Sequence, residues 1–259
     1  MAEYSSEKRV VIGSDPASLA ESVATRFLHR CIRRSDPSRP IHVSLTGGSM
    51  GSAVLKAIAA HPKRDRVNWS NVHFWWSDER FVPRDDPERN ELQAREALLD
   101  QLDIPAGNIH AIAASDDGID LDAAAEQYAR ELALFPSDDG PFPSFDISFL
   151  GVGPDGHIAS LFPDRAEILV TDRTALAVRD SPKPPPERVT LTRPVLNASK
   201  RLWMVLVGPD KASALGLALA GASYSSVPAA GAKGRKRTVF FVDESAAADV
   251  PPELIDAEY

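Results

Sequence analysis

The chain has 259 residues, 43% apolar and 25% charged, with 37 acidic against 29 basic side chains and a formal net charge of −8. That length can bury a sizeable core as one α/β domain spanning 1–259, and the composition excludes a disordered chain. The acidic balance argues against general affinity for nucleic acid or anionic membranes, and no apolar run reaches the roughly 18 residues of a membrane span.

The first residues, Met1 through Gly13, lack the apolar core of a signal peptide, and a single cysteine, Cys31, excludes an internal disulfide. A cytoplasmic protein, monomeric or a small homo-oligomer, is the expectation. Residues 8–12 read as a short edge strand, and Asp15-Pro16 opens a helix whose Leu19, Val23, Phe27, Leu28 and Ile32 recur at helical spacing. Cys31 falls on that helix as a small core residue. Ile41–Leu45 is expected as a strand, followed by the turn Thr46-Gly47-Gly48-Ser49-Met50-Gly51 and a helix ending near Ala60. Such a turn can cradle an anion on backbone N–H groups, with the Ser49 hydroxyl as a further donor; it serves equally as a tight connection with no ligand. The Gly-Lys-Ser/Thr ending of a nucleoside-triphosphate loop is missing, which favours a sugar phosphate over ATP.

Val72–Trp76 is the next expected strand, and Ser77-Asp78-Glu79-Arg80 reads as a charged surface turn before a proline-punctuated loop to Asn90. Helices are expected over 91–102 and 120–134, the second with Ala124, Tyr128 and Leu132 on its apolar face, and a short strand over 109–112. Residues 145–150 form an apolar run rich in β-formers that breaks into Gly151-Val152-Gly153-Pro154-Asp155-Gly156-His157. An acid, glycines and a histidine are thus delivered at a strand end. Further strands are expected over 174–178, 202–207 and 238–242. Between them lie a stiff exposed loop from Ser181 to Arg188, residues 189–192 capping a helix through Ala198, and Gly208-Pro209-Asp210-Lys211 opening another helix. A lysine at a helix start opposes the dipole, which a bound anion would explain. The basic run 233–237 reads as a solvated loop and the acidic tail from Glu244 as peripheral. Strands alternating with helices give an α/β fold with a parallel sheet.

The groups at Gly47 to Ser49, at Asp78 to Arg80 and at Asp155 to His157 each follow directly on a strand, and Lys211 follows a fourth. Ligands of open α/β sheets bind beyond the carboxyl ends of the strands, so these segments can share one crevice. Residues 151–156 also match Gly-x-Gly-x-x-Gly, but Pro163 leaves too few residues for the crossover helix that a dinucleotide fingerprint needs. Asp155 and His157 are metal-ligand types without an accompanying His-Glu-x-x-His or cysteine cluster, so no metal is expected. The other histidines (His29, His42, His61, His73 and His110) lie in ordinary helix, strand or turn contexts. His157 alone follows a glycine-rich turn beside an acid, where a carboxylate can fix its tautomer.

With these residues assembled, the chain resembles the 6-phosphogluconolactonase family, in particular actinobacterial-looking members, over nearly its whole length. The resemblance rests on Ser44-Leu45-Thr46-Gly47-Gly48-Ser49, on Trp76 through Pro83, on Gly151 through Pro163, on Pro185-Pro186-Glu187-Arg188 with Thr190-Leu191-Thr192, and on Gly208 through Ala212. It implies a Rossmann-like α/β fold, a mostly parallel sheet flanked by helices, similar to glucosamine-6-phosphate deaminases and ribose-5-phosphate isomerases. It also implies hydrolysis of 6-phosphogluconolactone in the pentose phosphate pathway, without a cofactor. Carried over by position, His157 is the general base, and Arg80, Arg188, Lys211, Gly47, Gly48 and Ser49 hold the anionic substrate. Gly156 is placed with that binding group, and Asp155 orients His157. Asp78 is either a second orienting carboxylate or a partner of Arg80. The deaminases carry a glutamate where this chain has Phe162, which cannot move protons, so the departure favours the lactonase. An amino-sugar-phosphate deaminase or isomerase, or a non-catalytic sugar-phosphate sensor, stand as the alternatives.

Overall fold

The structure is a computed structural model that describes residues 8–34, 36, 38–248, 250–256 and 259. Six strands form a parallel sheet: β1 (Lys8–Gly13), β2 (Ile41–Leu45), β3 (Val72–Trp76), β5 (Ile147–Gly151), β8 (Arg201–Leu206) and β9 (Arg237–Asp243). Their order across the sheet is β1-β9-β8-β5-β2-β3. Burial on both faces explains why these strands read as apolar runs: all five residues of β2 are buried, and Trp75, Trp76, Trp203 and Phe240 are fully enclosed. Burying each such side chain stabilises the fold by roughly 1.5–3 kcal/mol.

Helix α1 (Pro16–Arg33) starts where Asp15-Pro16 predicts, with the Asp15 carboxylate accepting from the N–H groups of Ala17 and Ser18. Helices α2 (Gly48–Ala60), α3 (Asn90–Ala97), α4 (Leu121–Ala133), α5 (Arg193–Asn197) and α6 (Ala212–Leu219) complete the set. α3 stops at Ala97 rather than continuing to 102, because the backbone leaves the helical region at Leu98 and a 3₁₀ turn follows. No described helix is long and apolar enough to cross a membrane.

Four further expectations are corrected. The charged segment after β3 is not a surface turn but strand β4 (Asp78–Arg80), with Asp78 and Glu79 buried. Residues leading to α5 form β7 (Arg188–Leu191), which pairs antiparallel with β4 and with β6 (Ala175–Val178) in a second, three-stranded sheet covered by α4. Residues 109–112 make a single bridge, Ile109 to Phe74, rather than a strand. The tail is not peripheral either: Ile255 bridges to Val10, and the Tyr259 hydroxyl accepts from Trp203 Nε1 at 2.9 Å.

From the neighbouring strands β5 and β2 the chain runs on in opposite directions, β2 to β3 and β5 to β8 and β9. That reversal opens a crevice beyond the carboxyl ends of β2 and β5. The second sheet closes one side of it.

Candidate active site

The chain leaves β2 through Thr46 and enters α2 at once. Gly47 occupies the N-cap position with no side-chain cap, and Gly48 takes φ +85°, so the first turn presents largely uncapped N–H groups. Close approach explains Gly47: a Cβ there would lie 1.8 Å from Oδ1 of Asn90. The Thr46 hydroxyl accepts from Gly151 N–H at 3.3 Å and ties the exit of β2 to the exit of β5.

Beyond β5 the loop folds back on itself, with Gly153 N–H donating to His157 O at 3.0 Å and Gly156 N–H to Gly153 O at 2.9 Å. His157 Nδ1 and Asp155 Oδ1 are 2.6 Å apart. Gly153 leaves room for this pair, since a Cβ on it would come within 2.1 Å of His157 Nδ1 and 2.3 Å of Asp155 Oδ1. Burial alone would raise the Asp155 carboxyl; the hydrogen bond to His157 and the charges of His157 and Lys183 overcome it and hold the group far below the usual carboxylate range. With Nδ1 turned to a carboxylate, Nε2 is left as the proton-accepting nitrogen, and it has no hydrogen-bond partner among the described residues. The ring rests on Phe162, 4.6 Å between centroids.

Cations converge on the imidazole from three directions. Arg80 and Arg188 stand opposite each other in the β4–β7 register, a like-charge pairing that an anion between them would relieve. Arg80 donates to the Glu88 carbonyl at 2.7 Å and to the Glu88 carboxylate at 3.3 Å, while its Nε is buried with no partner. Arg188 is 3% exposed; it donates to the carbonyls of Lys183, Pro184 and Pro185 and lies 5.7 Å above the Phe162 ring. Burial draws its pKa down, against the pull of Asp78. Lys211 arrives from the start of α6, 3.2 Å from Asp210. Asp78 contacts neither His157 nor Arg80; its carboxylate accepts from Ser160 at 2.7 Å and Ser77 at 3.2 Å, and Ser160 Oγ lies 3.4 Å from Arg188.

These groups border a cavity of about 270 Å³, whose wall includes Gly47, Gly48, Asp78, Arg80, His157, Arg188 and Lys211. Asp155 stands behind His157. Gly156 is off the wall, its φ of +82° serving the loop's turn, and Ser49 borders an adjoining, more apolar cavity of about 530 Å³. Two wall residues lie outside the motifs of the sequence: Lys183, inside the proline-rich loop, and Asn90, whose buried Oδ1 has no partner while its Nδ2 donates to Asp78 O at 2.9 Å. A cation bracketed by prolines was a signal for the first; nothing marked the second. Behind the wall, buried Glu79 accepts from the N–H groups of Arg80, Asn90 and Glu91 at 2.7–2.8 Å and so fixes the loop that carries Arg80 and Asn90. Among the described residues no group of three or more His, Cys, Asp or Glu side chains is arranged to hold a metal ion. What the arrangement offers is a cationic wall beside a free imidazole nitrogen.

The family described as glucosamine-6-phosphate isomerases/6-phosphogluconolactonase matches residues 14–241. The chain is 44% identical over 250 residues to a 6-phosphogluconolactonase of Streptomyces coelicolor, covering 95% of this chain and 96% of that protein. It is 49% identical over 211 residues to a 6-phosphogluconolactonase of Mycobacterium tuberculosis, covering 81% and 85%. The crystal structure of a 6-phosphogluconolactonase from Thermotoga maritima superposes with a TM-score of 0.77 at 29% identity, covering 92% of this chain and all of that one.

Proposed function

From the premise that the chain belongs to the family of glucosamine-6-phosphate isomerases and 6-phosphogluconolactonases, we propose that it is a 6-phosphogluconolactonase, with His157 as general base. It hydrolyses 6-phospho-D-glucono-1,5-lactone to 6-phospho-D-gluconate, in the oxidative pentose phosphate pathway. The observation that carries the assignment of the base is the free Nε2 of His157 on the wall of a cationic cavity, its other nitrogen held by Asp155 at 2.6 Å.

In this reading the phosphate is held by Arg80, Arg188, Lys211 and the uncapped start of α2, and its distance from the lactone carbonyl positions that carbon over the imidazole. Nε2 takes a proton from water as the oxygen attacks the carbonyl carbon. The resulting oxyanion is stabilised by backbone N–H groups of the glycine loop or by the Arg80 guanidinium. Collapse breaks the bond to the ring oxygen, which receives the proton back from the imidazolium. Asp155 keeps the tautomer correct throughout, and Asp78 acts through Ser160 on Arg188.

The test is to generate the lactone enzymatically and follow its hydrolysis against the spontaneous background. A rate above background that scales with protein supports the reading; the background rate alone would overturn it. Lys211→Ala is expected to raise KM with kcat largely kept, and an unchanged KM would remove Lys211 from the phosphate site. Ammonia release from glucosamine 6-phosphate would mark a deaminase, which Phe162, buried under both His157 and Arg188, argues against.

A further inference from the structure

At the opposite end of the parallel sheet, where the strands begin, lies a basic hollow. The last turns of α1 supply Arg26, Arg30, Arg33 and Arg34; the starts of β8 and β9 supply Arg201 and Arg237, with Lys236 beside them. They line two adjoining cavities of about 470 and 400 Å³ that share Arg30, Arg201 and Tyr259. In a chain whose acids outnumber its bases, 37 to 29, such a concentration runs against the average charge.

Cations at the carboxyl end of a helix complement its dipole, which accounts for Arg30, Arg33 and Arg34 but not for Arg201, Lys236 and Arg237 on the strand ends. Nor do the carboxylates on the wall neutralise the cluster. Asp146 is engaged by Arg34 and, at 2.9 Å, by Lys200; Asp256 lies 3.3 Å from Arg237 and 4.0 Å from Arg9, and Arg26 donates to the Tyr259 main-chain oxygen at 2.8 Å. Arg30 reaches the Tyr259 hydroxyl at 3.2 Å and the faces of Trp203 and Tyr259. The side chains of Arg33 and Lys236 have no hydrogen-bond or ion-pair partner among the described residues, and that of Arg201 has no hydrogen bond there and is attracted by Tyr259. Half-buried Arg201 is drawn below the ordinary arginine pKa by burial and by the charge of Arg30, with smaller contributions from Arg34 and Arg237, against the pull of Tyr259; a guanidinium keeps its proton, so the net repulsion persists.

We propose that this hollow is a second anion site, separate from the catalytic cavity, that takes a small molecule bearing two or more phosphate groups. Arg30 and Arg201, at the junction of the two cavities, grip one phosphate in their planar forks, and Lys236 with Arg237 takes the next. The other cavity runs back along Cys31, Ile41 and Ile147, an apolar wall that would accommodate a nucleoside attached to the phosphates.

Calorimetric titration of the full chain with pyrophosphate, and separately with ATP, at low ionic strength tests this, with the catalytic cavity saturated by 6-phosphogluconate. One ligand is expected per chain. Losing one charge-assisted contact, Arg201→Gln should weaken binding about tenfold and the exposed Lys236→Gln about threefold, with lactone turnover unchanged. Tighter binding of ATP than of pyrophosphate would assign the apolar wall to the nucleoside; equal binding would assign the site to the phosphates alone. The proposal is overturned by absence of binding, by competition from 6-phosphogluconate, by affinities indifferent to both substitutions, or by binding of polyglutamate but not pyrophosphate.

Discussion

Two histidine–carboxylate pairs stand at opposite ends of the parallel sheet, and their geometry is nearly the same: 2.6 Å from His157 to Asp155 and 2.7 Å from His110 to Glu131. Their surroundings differ in every other respect. His110 is 4% exposed, stacks on Trp75 at 3.7 Å, and has its second nitrogen 2.9 Å from Nδ1 of His73. Since His110 Nδ1 faces a carboxylate, His73 must be the donor across that contact, and both nitrogens of His110 are satisfied. His73 in turn lies opposite His42 across β2 and β3, and His42 accepts from Trp75 Nε1 at 3.1 Å. His157 has one nitrogen satisfied and the other on the wall of a cationic cavity. A histidine beside an acid is therefore no signature of catalysis. The unfilled second nitrogen and the space in front of it are what separate the two pairs.

The largest effect expected from that difference is on turnover. General-base catalysis contributes on the order of 100- to 10,000-fold, so His157→Ala should lose roughly that in kcat while still binding 6-phosphogluconate. His110→Asn should leave kcat unchanged and lower thermal stability. Assayed side by side on enzymatically generated lactone, equal losses of kcat in the two variants would erase the distinction.

The same contrast shows what could be read from the sequence. β2 and β3 are legible to the residue because a strand buried on both faces is an unbroken apolar run. β4 and β7 are not, because they carry Asp78, Glu79, Arg80 and Arg188, and pairing with a segment more than a hundred residues away makes them strands. The candidate catalytic loop is legible through glycines whose missing Cβ atoms make space, as at Gly153. The histidine cluster at the other end gives no such signal, its members lying in ordinary strand and turn contexts. Only the parallel register sets His42 and His73 side by side, and a segment bridged to β3 brings in His110. Asn90 escaped for a related reason, since a buried unpartnered oxygen is a property of packing.

An intermediate effect should come from disturbing the His157–Asp155 pair without removing the base. Gly153→Ala places a methyl group within 2.1 Å of His157 Nδ1, so the imidazole must swing out of line. Asp155→Asn keeps the ring in place but presents a neutral amide where the carboxylate faces Nδ1 and fixes the tautomer. Both should lower kcat by roughly 10- to 100-fold, part of the range general-base catalysis spans, with KM little changed. Asp155→Glu should recover part of the loss. A Gly153→Ala enzyme with wild-type kcat would mean that His157 is not held where the reaction needs it.

The smallest effect belongs to the buried cluster and concerns stability rather than rate. Burial, then the neighbouring histidines, push His42 down to about 3, and burial with His110 pushes His73 down to about 4, against an ordinary value of 6.5. Because the unfolded chain takes up these protons and the folded one does not, their contribution is complete above about pH 6.5 and is lost as pH falls toward 4. Glu79 works in the opposite sense. Burial raises it to about 7 against Arg89 and three backbone donors, so its contribution is present below about 4.5 and lost as pH rises through 7. The wild-type curve therefore mixes the two, and the difference between wild type and His73→Asn separates them. Between pH 6.5 and 4.5 denaturant unfolding of the variant should lose stability less steeply, by up to about 1.4 kcal/mol per pH unit, one proton's worth. Parallel curves would mean that His73 titrates alike in the folded and unfolded chains, and the enclosed end of the sheet would then be as open to protons as the cavity around His157.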